Sequence, residues 1–498
     1  VTTVRDQLRQ AFLRAGETVV VVEEGEHWSG ERLLHLAEGL AAALTRESIA
    51  AGEPAGVWVS NRAADFAAVL AVWLAGGVVV PIHRTAPKAT IAPVLAATSA
   101  RFLVDGAGGA APVPPGRVSA AHPGLWVRAV PPPPANPLLA DAALVVFTSG
   151  STGLPKGVVL SHQAWTTKLA NNGASYHFGS GVRTLLVLQT TFSYGMWVSL
   201  LTLISGGVLT IHRRFDVASA LSALASGEID RVALVPTMLR AIQAESDSPA
   251  VRALLERIWA HRKLRYVYVG GEMLSPALTP VLENLFGDVL PINIYGLTET
   301  GTCDFALEGA ELLQHPAAIG RPARGVSFRI VAKGGHLAAP GEVGELQIRT
   351  ETMMRGYLGQ PAFTAAAFAD GYFRTGDLAW ADEEGIVTMI SRMKEVISRG
   401  GNKIYPQEIE LALQTHPSIA EVLAAGVADP LMGQRIHVAI RLKQGAALDA
   451  AALRRWASER LEKFKIPDAF HFMDRLPVGR TGKADRISLA NSLRPDGR

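Results

Sequence analysis

The stretch Val145–His162, VVFTSGSTGLPKGVVLSH, fills every position from Thr148 to Gly153 with Ser, Thr or Gly and follows them with Lys156. Apolar runs lead in at Ala142–Phe147 and out at Val158–Leu160. Small residues let backbone N–H groups approach an anion, hydroxyls add donors, and one lysine adds a point charge. Thr148, Ser149, Gly150, Ser151, Thr152, Gly153 and Lys156 therefore suit a polyphosphate. The spacing is not that of a Walker loop, because Pro155 precedes Lys156 and Gly157 follows it, and no helix start is implied. A Ser/Gly run can also be a plain linker. Its place between two apolar strands favours the phosphate reading.

Five further stretches put polar residues where a strand or loop has no need of them. YVYVGGEM ends an apolar strand in Gly270, Gly271 and Glu272, and INIYGLTETGT sets Thr298, Glu299 and Thr300 behind Tyr295. YFRTGDLA places Asp377 in a turn, and SRMKEVISRGGNKIYPQEIE offers Arg392, Lys394, Arg399, Gly400 and Gly401. LPVGRTGKADR carries Lys483. Singly, each has a structural explanation: T-G-D is a common turn, Gly-Gly closes strands, Glu299 suits a helix start, and Lys483 suits a solvated loop.

Together and in this order they resemble the adenylate-forming superfamily, which includes acyl- and aryl-CoA synthetases, adenylation domains of peptide synthetases and firefly luciferase. The resemblance runs from the segment before Phe147 to Lys483. It implies that Thr148–Gly157 closes over the β- and γ-phosphates of ATP, and that Gly270, Gly271, Glu272 and Tyr295 enclose the adenine. Asp377 and Arg392 would bind the ribose, Thr298 would touch the α-phosphate, and Glu299 would hold Mg²⁺. A carboxylate attacking a phosphate meets like-charge repulsion, so cations must be aimed at the reacting atoms. Mg²⁺ on Glu299, an oxygen ligand suited to a hard ion, and Lys483 would supply them. Lys394 stands at the family's hinge, about which a C-terminal lid turns between two half-reactions. That turn would bring first Lys483 and then the Arg399–Asn402 loop to the site.

TTFSYGMW resembles the family segment that gives the acyl pocket an aromatic, here Phe192. Relatives that activate amino acids follow it with an Asp for the substrate ammonium. Ser193 follows here. A buried ammonium without a carboxylate is costly, so an uncharged aryl or medium acyl acid is expected, beside Phe192, Ser193, Trp197 and Tyr268. Trp197 and Tyr268 could equally be core residues. CoA is the expected acceptor, with an amine or a discrete carrier protein as alternatives. A non-catalytic nucleotide-binding regulator is the remote one, against which Lys483, Glu299 and Asp377 all stand. Cys303, with no motif to activate it, reads as a packing residue rather than a nucleophile.

These residues need a scaffold to hold them. With 498 residues, 48% hydrophobic and 19% charged, the chain suits several globular units. A net charge of +3 and no basic cluster with interleaved aromatics give no sign of nucleic acid. The single cysteine excludes a disulfide framework and suits a reducing, cytoplasmic setting. The N-terminal residues show no charged-then-apolar signal pattern. Phe66–Ile82 is apolar, but Gly76, Gly77 and Pro81 break it, so a buried helix and strand are expected instead of a membrane span. From Thr18 to about Val331, short β-rich runs alternate with helical patterns, which predicts α/β layers with largely parallel sheets. The expected fold is α/β: a large N-terminal domain of several layered subdomains (1–391), a hinge (392–394), and a small mobile α+β lid (395–498).

Overall fold

The computed structural model describes residues 2–108, 116–148, 156–478 and 484–493. Among them the chain forms three sheets. In the largest, six strands lie side by side and parallel: Val19–Glu23, Val208–Ile211, Arg183–Leu186, Arg231–Leu234, Tyr266–Gly270 and Leu290–Tyr295. The sheet then continues antiparallel through Phe305–Glu308, Ala318–Pro322, Val387–Arg392, Tyr372–Ala381, Gly344–Thr350 and Val326–Ala332.

The second sheet has a parallel centre, Phe102–Val104, Pro54–Val59, Val78–His83 and Ala142–Thr148, with antiparallel strands on both sides. The expectation of largely parallel sheets thus holds for one half of the large sheet and the centre of the second, and fails for the remaining strands. The reason is loop length. Ala142–Thr148 and Lys156–Ser161 are joined by seven residues (149–155), too few for the crossover that a parallel pair requires.

Two helices, Ala63–Leu74 and Ser193–Ile204, sit in the core that the two sheets share, with Val57, Val146, Leu186 and Ile292 packed around them. Apolar neighbours on every side explain why both helices read as uniformly apolar rather than amphipathic. The first stops where Gly76 takes a φ of +80°, and the strand Val78–His83 begins directly after. This is the buried helix and strand expected for Phe66–Ile82. No helix among the described residues is long and apolar enough to cross a membrane.

The third sheet comprises Ile397–Arg399, Asn402–Ile404, Ile419–Asp429, Gly433–Leu442 and Ala469–Phe472. Helices Pro406–Gln414, Ala450–Ser458 and Arg486–Ser492 accompany it. Its core, with Ile397, Ile409, Leu413 and Ile436, is separate from the others. The large sheet's strand ends at Arg392, a 3-10 turn spans Met393–Glu395, and the third sheet starts at Ile397. The α/β class, the layered N-terminal part and the smaller C-terminal unit are as expected.

Candidate active site

Gly270, Gly271, Glu272, Tyr295, Thr298, Glu299 and Arg392 lie where strands of the large sheet end or just beyond them. Tyr266–Gly270 and Leu290–Tyr295 are parallel neighbours, so their following loops, Gly271-Glu272 and Gly296–Thr300, leave the sheet side by side. Gly270 has to be small, since a Cβ there would meet the Ile294 carbonyl oxygen at 2.7 Å. Glu272 accepts from the Thr237 hydroxyl at 3.0 Å and from Arg240 at 3.1 Å, so its carboxylate is engaged on the adjoining helix.

Tyr295 donates its hydroxyl to Asp377 Oδ2 at 2.6 Å. Asp377, expected in a turn, instead lies within the strand Tyr372–Ala381 with Arg392 as its cross-strand partner, and Arg392 Nε lies 3.2 Å from Asp377 Oδ1. Asp377 is fully buried, yet Oδ1 accepts no hydrogen bond of good geometry among the described residues. Burial pushes its pKa up, against the pull of Arg392 and Tyr295. A buried acceptor left open in this way suits an incoming hydroxyl donor.

Thr298–Thr300 forms one 3-10 turn. Its Thr298 hydroxyl lies 3.0 Å from the Ser193 hydroxyl. Ser193 is placed by the tight start of its helix, where a Cβ on Gly195 would meet the Gln189 carbonyl oxygen at 2.3 Å. Phe192, half-buried, is the N-cap of the same helix. Glu299 Oε1 accepts from the Tyr357 hydroxyl at 2.9 Å. Tyr357 gets there because Gly356-Tyr357 pairs with Val158-Val159 on the strand that begins at Lys156. The Lys156 ammonium lies 5.1 Å from the Tyr357 ring centre and 4.4 Å from that of Phe363. Thr148 and Lys156 are the last ladder pair of their hairpin, so both ends of the Ser/Gly loop are set in register. Ser149, Gly150, Ser151, Thr152 and Gly153 lie outside the described residues, as does Lys483. The latter's segment is framed by a bridge between Val478 and Ala484.

Trp197 and Tyr268 are fully buried with their polar atoms taken: Trp197 Nε1 donates to Asn172 Oδ1 at 3.0 Å, and the Tyr268 hydroxyl donates to the Tyr176 carbonyl. Both are therefore held by internal contacts of the core. Lys394 lies in the 3-10 turn after Arg392 and is exposed. Gly400 (φ +54°) and Gly401 (φ +85°) form the two-residue turn between Arg399 and Asn402, where glycines relieve the left-handed strain. Arg399 pairs with Asp468 at 2.6 Å, inside the C-terminal unit. Cys303 is fully buried and desolvation pushes its thiol well above the usual range, which fits packing and not nucleophilic attack.

Three residues at the site escaped sequence reasoning: Tyr357, Asp304 and Lys168. Tyr357 stands in a plain Gly-Tyr dipeptide, and no sequence signal announces its contact with Glu299. Lys168 looks like a surface helix charge, yet it forms a buried pair with Asp304 at 2.8 Å.

Comparison with known proteins decides the family. The model described as AMP-binding enzyme matches residues 8–358, and that described as AMP-binding enzyme C-terminal domain matches residues 408–483. The chain belongs to the AMP-binding enzyme family. It is thus an adenylate-forming enzyme, an AMP-forming acid ligase that activates a carboxylic acid with ATP. Feruloyl-CoA synthase from Amycolatopsis sp is 31% identical over 91% of this chain and 90% of its own length. A 2-succinylbenzoate–CoA ligase from Bacillus licheniformis is 31% identical over 70% of each. Among solved structures, the amide bond synthetase McbA from Marinactinospora thermotolerans superposes with a TM-score of 0.82 at 26% identity, over 98% of this chain and 100% of that one.

Proposed function

We propose that this enzyme joins a carboxylic acid without an α-amino group, aryl or medium acyl, to CoA through an acyl-adenylate. The observation that carries the acid class is the Ser193–Thr298 hydroxyl pair at 3.0 Å. The ammonium of an α-amino acid would need a carboxylate beside Phe192, and Ser193 would offer it only a hydroxyl. The CoA ligases among the relatives support the acceptor. The likeness to an amide bond synthetase over nearly the whole chain keeps an amine as the second reading.

In the first half-reaction a carboxylate oxygen attacks the α-phosphorus of ATP, the P–O bond to pyrophosphate breaks, and pyrophosphate leaves. In the second, the acceptor thiol loses its proton, sulfur attacks the acyl carbon, and AMP leaves. Asp377 would take the ribose hydroxyls on its open oxygen, with Arg392 compensating its charge. Tyr295 would present its ring to the adenine while its hydroxyl orients Asp377. Glu299 is a hard oxygen donor already oriented by Tyr357, which fits Mg²⁺ held together with phosphate oxygens. Such an ion supplies charge neutralisation to the polyphosphate. Thr298 would meet the α-phosphate, and Lys156 would add its charge at the return of the phosphate loop. Lys483 would face the attacking carboxylate.

The test is pyrophosphate release over a panel of aryl, medium-chain and amino acids, run with CoA, with amines, with a carrier protein and with no acceptor. Release with aryl or medium-chain acids and a CoA thioester product supports the proposal. An amide product moves the acceptor to the second reading, and release with amino acids alone overturns the acid class.

A further inference from the structure

Behind the Thr298–Thr300 turn the backbone takes three left-handed steps in succession: Gly301 (φ +84°), Thr302 (φ +74°) and Cys303 (φ +53°). Such a step costs about 1–2 kcal/mol for a residue with a side chain and persists only where the surroundings hold it. The loop closes on its own base. Asp304 N donates to the Tyr295 carbonyl at 2.7 Å and Thr302 N to the Leu297 carbonyl at 2.8 Å. A Cβ on Gly296 would strike Cys303 N at 2.2 Å.

The Asp304 carboxylate holds this loop from inside. Its Oδ2 accepts from Leu297 N at 3.3 Å and from the Thr300 hydroxyl, one group at each end of the turn. Its Oδ1 accepts from Lys168 Nζ at 2.8 Å. The Asp304 side chain is 0% exposed and that of Lys168 3%. Lys168 also reaches the Cys303 carbonyl at 3.5 Å, which Asn172 Nδ2 approaches at 3.4 Å. Lys168 rides on the helix His162–Ser175, which starts directly after the strand Lys156–Ser161.

A buried ion pair is a weak source of stability, because desolvation offsets the attraction. This one instead connects two parts of the site. It ties the turn that presents Thr298 and Glu299 to the element continuing from Lys156. We propose that Asp304, held by Lys168, is a positioning residue for adenylation: it fixes the turn so that Thr298 and Glu299 meet the phosphates in register. The inference rests on the reading of that turn under Proposed function.

Two double variants isolate the effect. K168M/D304N and K168M/D304L both remove the two charges and keep similar volume, but only Asn retains an acceptor for Leu297 N and Thr300. ATP–pyrophosphate exchange would be measured with the best acid from a panel of benzoic, cinnamic, 3-phenylpropanoic and octanoic acids, alongside thermal unfolding. The Asn variant, which keeps the acceptor for the turn but loses the tie to Lys168, should lose only about tenfold in kcat. The Leu variant should lose about a hundredfold in kcat, with KM for ATP changed only a few-fold and conversion of supplied acyl-adenylate intact. Equal exchange by the two double variants, or equal loss of both half-reactions by the Leu variant, would overturn the proposal. Should the Leu variant not fold, Thr300→Val decides: it keeps both charges, removes one donor to Asp304, and should lower kcat about tenfold, whereas an unchanged kcat overturns the proposal. Thr298→Ala runs in parallel. Undiminished exchange there rejects the reading of the turn itself, and the positioning role with it.

Discussion

The Tyr357 phenol donates to Glu299 Oε1 at 2.9 Å, joining residues 58 positions apart. Burial, and then the charge of Glu299, push the phenol pKa above its usual range, so it remains a donor at any working pH. A hydrogen bond to a charged group contributes about 1.5–3 kcal/mol.

Tyr357→Phe should therefore raise the Mg²⁺ concentration needed for half-maximal pyrophosphate release by about tenfold. Glu299→Gln should raise it further. Magnesium titrations of the three proteins check this, and identical curves would show that Glu299 is structural.

Lys483→Ala should abolish acyl-adenylate formation and spare conversion of supplied acyl-adenylate. In the role proposed for it, its charge would be needed only while the carboxylate attacks, and removing one preorganised contact costs on the order of 10²–10³ in rate. Single-turnover assays of each half-reaction separate the two. Equal loss in both would end the two-position account of the C-terminal unit.

Asp377→Asn should raise KM for ATP by about tenfold or more and shrink the thermal shift that ATP confers. The substitution removes the negative partner of Arg392, which lies 3.2 Å from Asp377 Oδ1, and puts an amide where an open acceptor now stands. An unchanged thermal shift would place the ribose elsewhere.

Phenylalanine and 3-phenylpropanoic acid differ only in the ammonium. With Ser193 and Thr298 as neutral neighbours, the amino acid should be turned over more than a hundredfold less well, since an unpaired buried charge costs several kcal/mol. Comparable pyrophosphate release from both would reveal another carboxylate at work.

Asp65 offers a stability test away from the site. Desolvation raises its pKa from 3.8 to about 7, against hydrogen bonds from Ser60 and Arg62 and the Arg84 charge, with Asp105 adding to the rise. The folded pKa exceeds the unfolded one, so this group's contribution is full below pH 3.8 and is lost as pH rises through about 7. Asp65→Asn keeps an acceptor for the two backbone donors and cannot titrate. Its unfolding free energy should fall less between pH 4 and 7 than the parent's, by on the order of 2–4 kcal/mol. Parallel pH profiles would refute the assignment.

Much of the site was legible because its residues end strands or fill turns, where side-chain type and backbone need coincide. Gly270, Tyr295, Thr298, Glu299 and Arg392 declared themselves in this way, whereas Asp377, read from its T-G-D as a turn residue, lies inside the strand Tyr372–Ala381. The alternation of strands and helices also announced the layers. What stayed hidden depended on contact across the chain. Lys168 and Asp304 are 136 positions apart, and nothing in a helix containing one lysine says that the lysine faces inward. The antiparallel strands of the sheets were hidden as well, because strand direction follows from loop length and register more than from strand composition. Trp197 and Tyr268 read as pocket or core from their type alone; their partners, Asn172 and the Tyr176 carbonyl, became visible only in three dimensions.

The register pair Asp377–Arg392 has a mechanical consequence. Arg392 is the last residue of the large sheet before the 3-10 turn that leads into the C-terminal unit. A swing of that unit about this turn, as the family resemblance implies, would act as a lever with its fulcrum beside Asp377. Displacement grows with distance from a fulcrum, so a ribose held by Asp377 would hardly move, while side chains at the far end of the arm would sweep a long arc. One nucleotide could then stay seated while the surface facing it is exchanged.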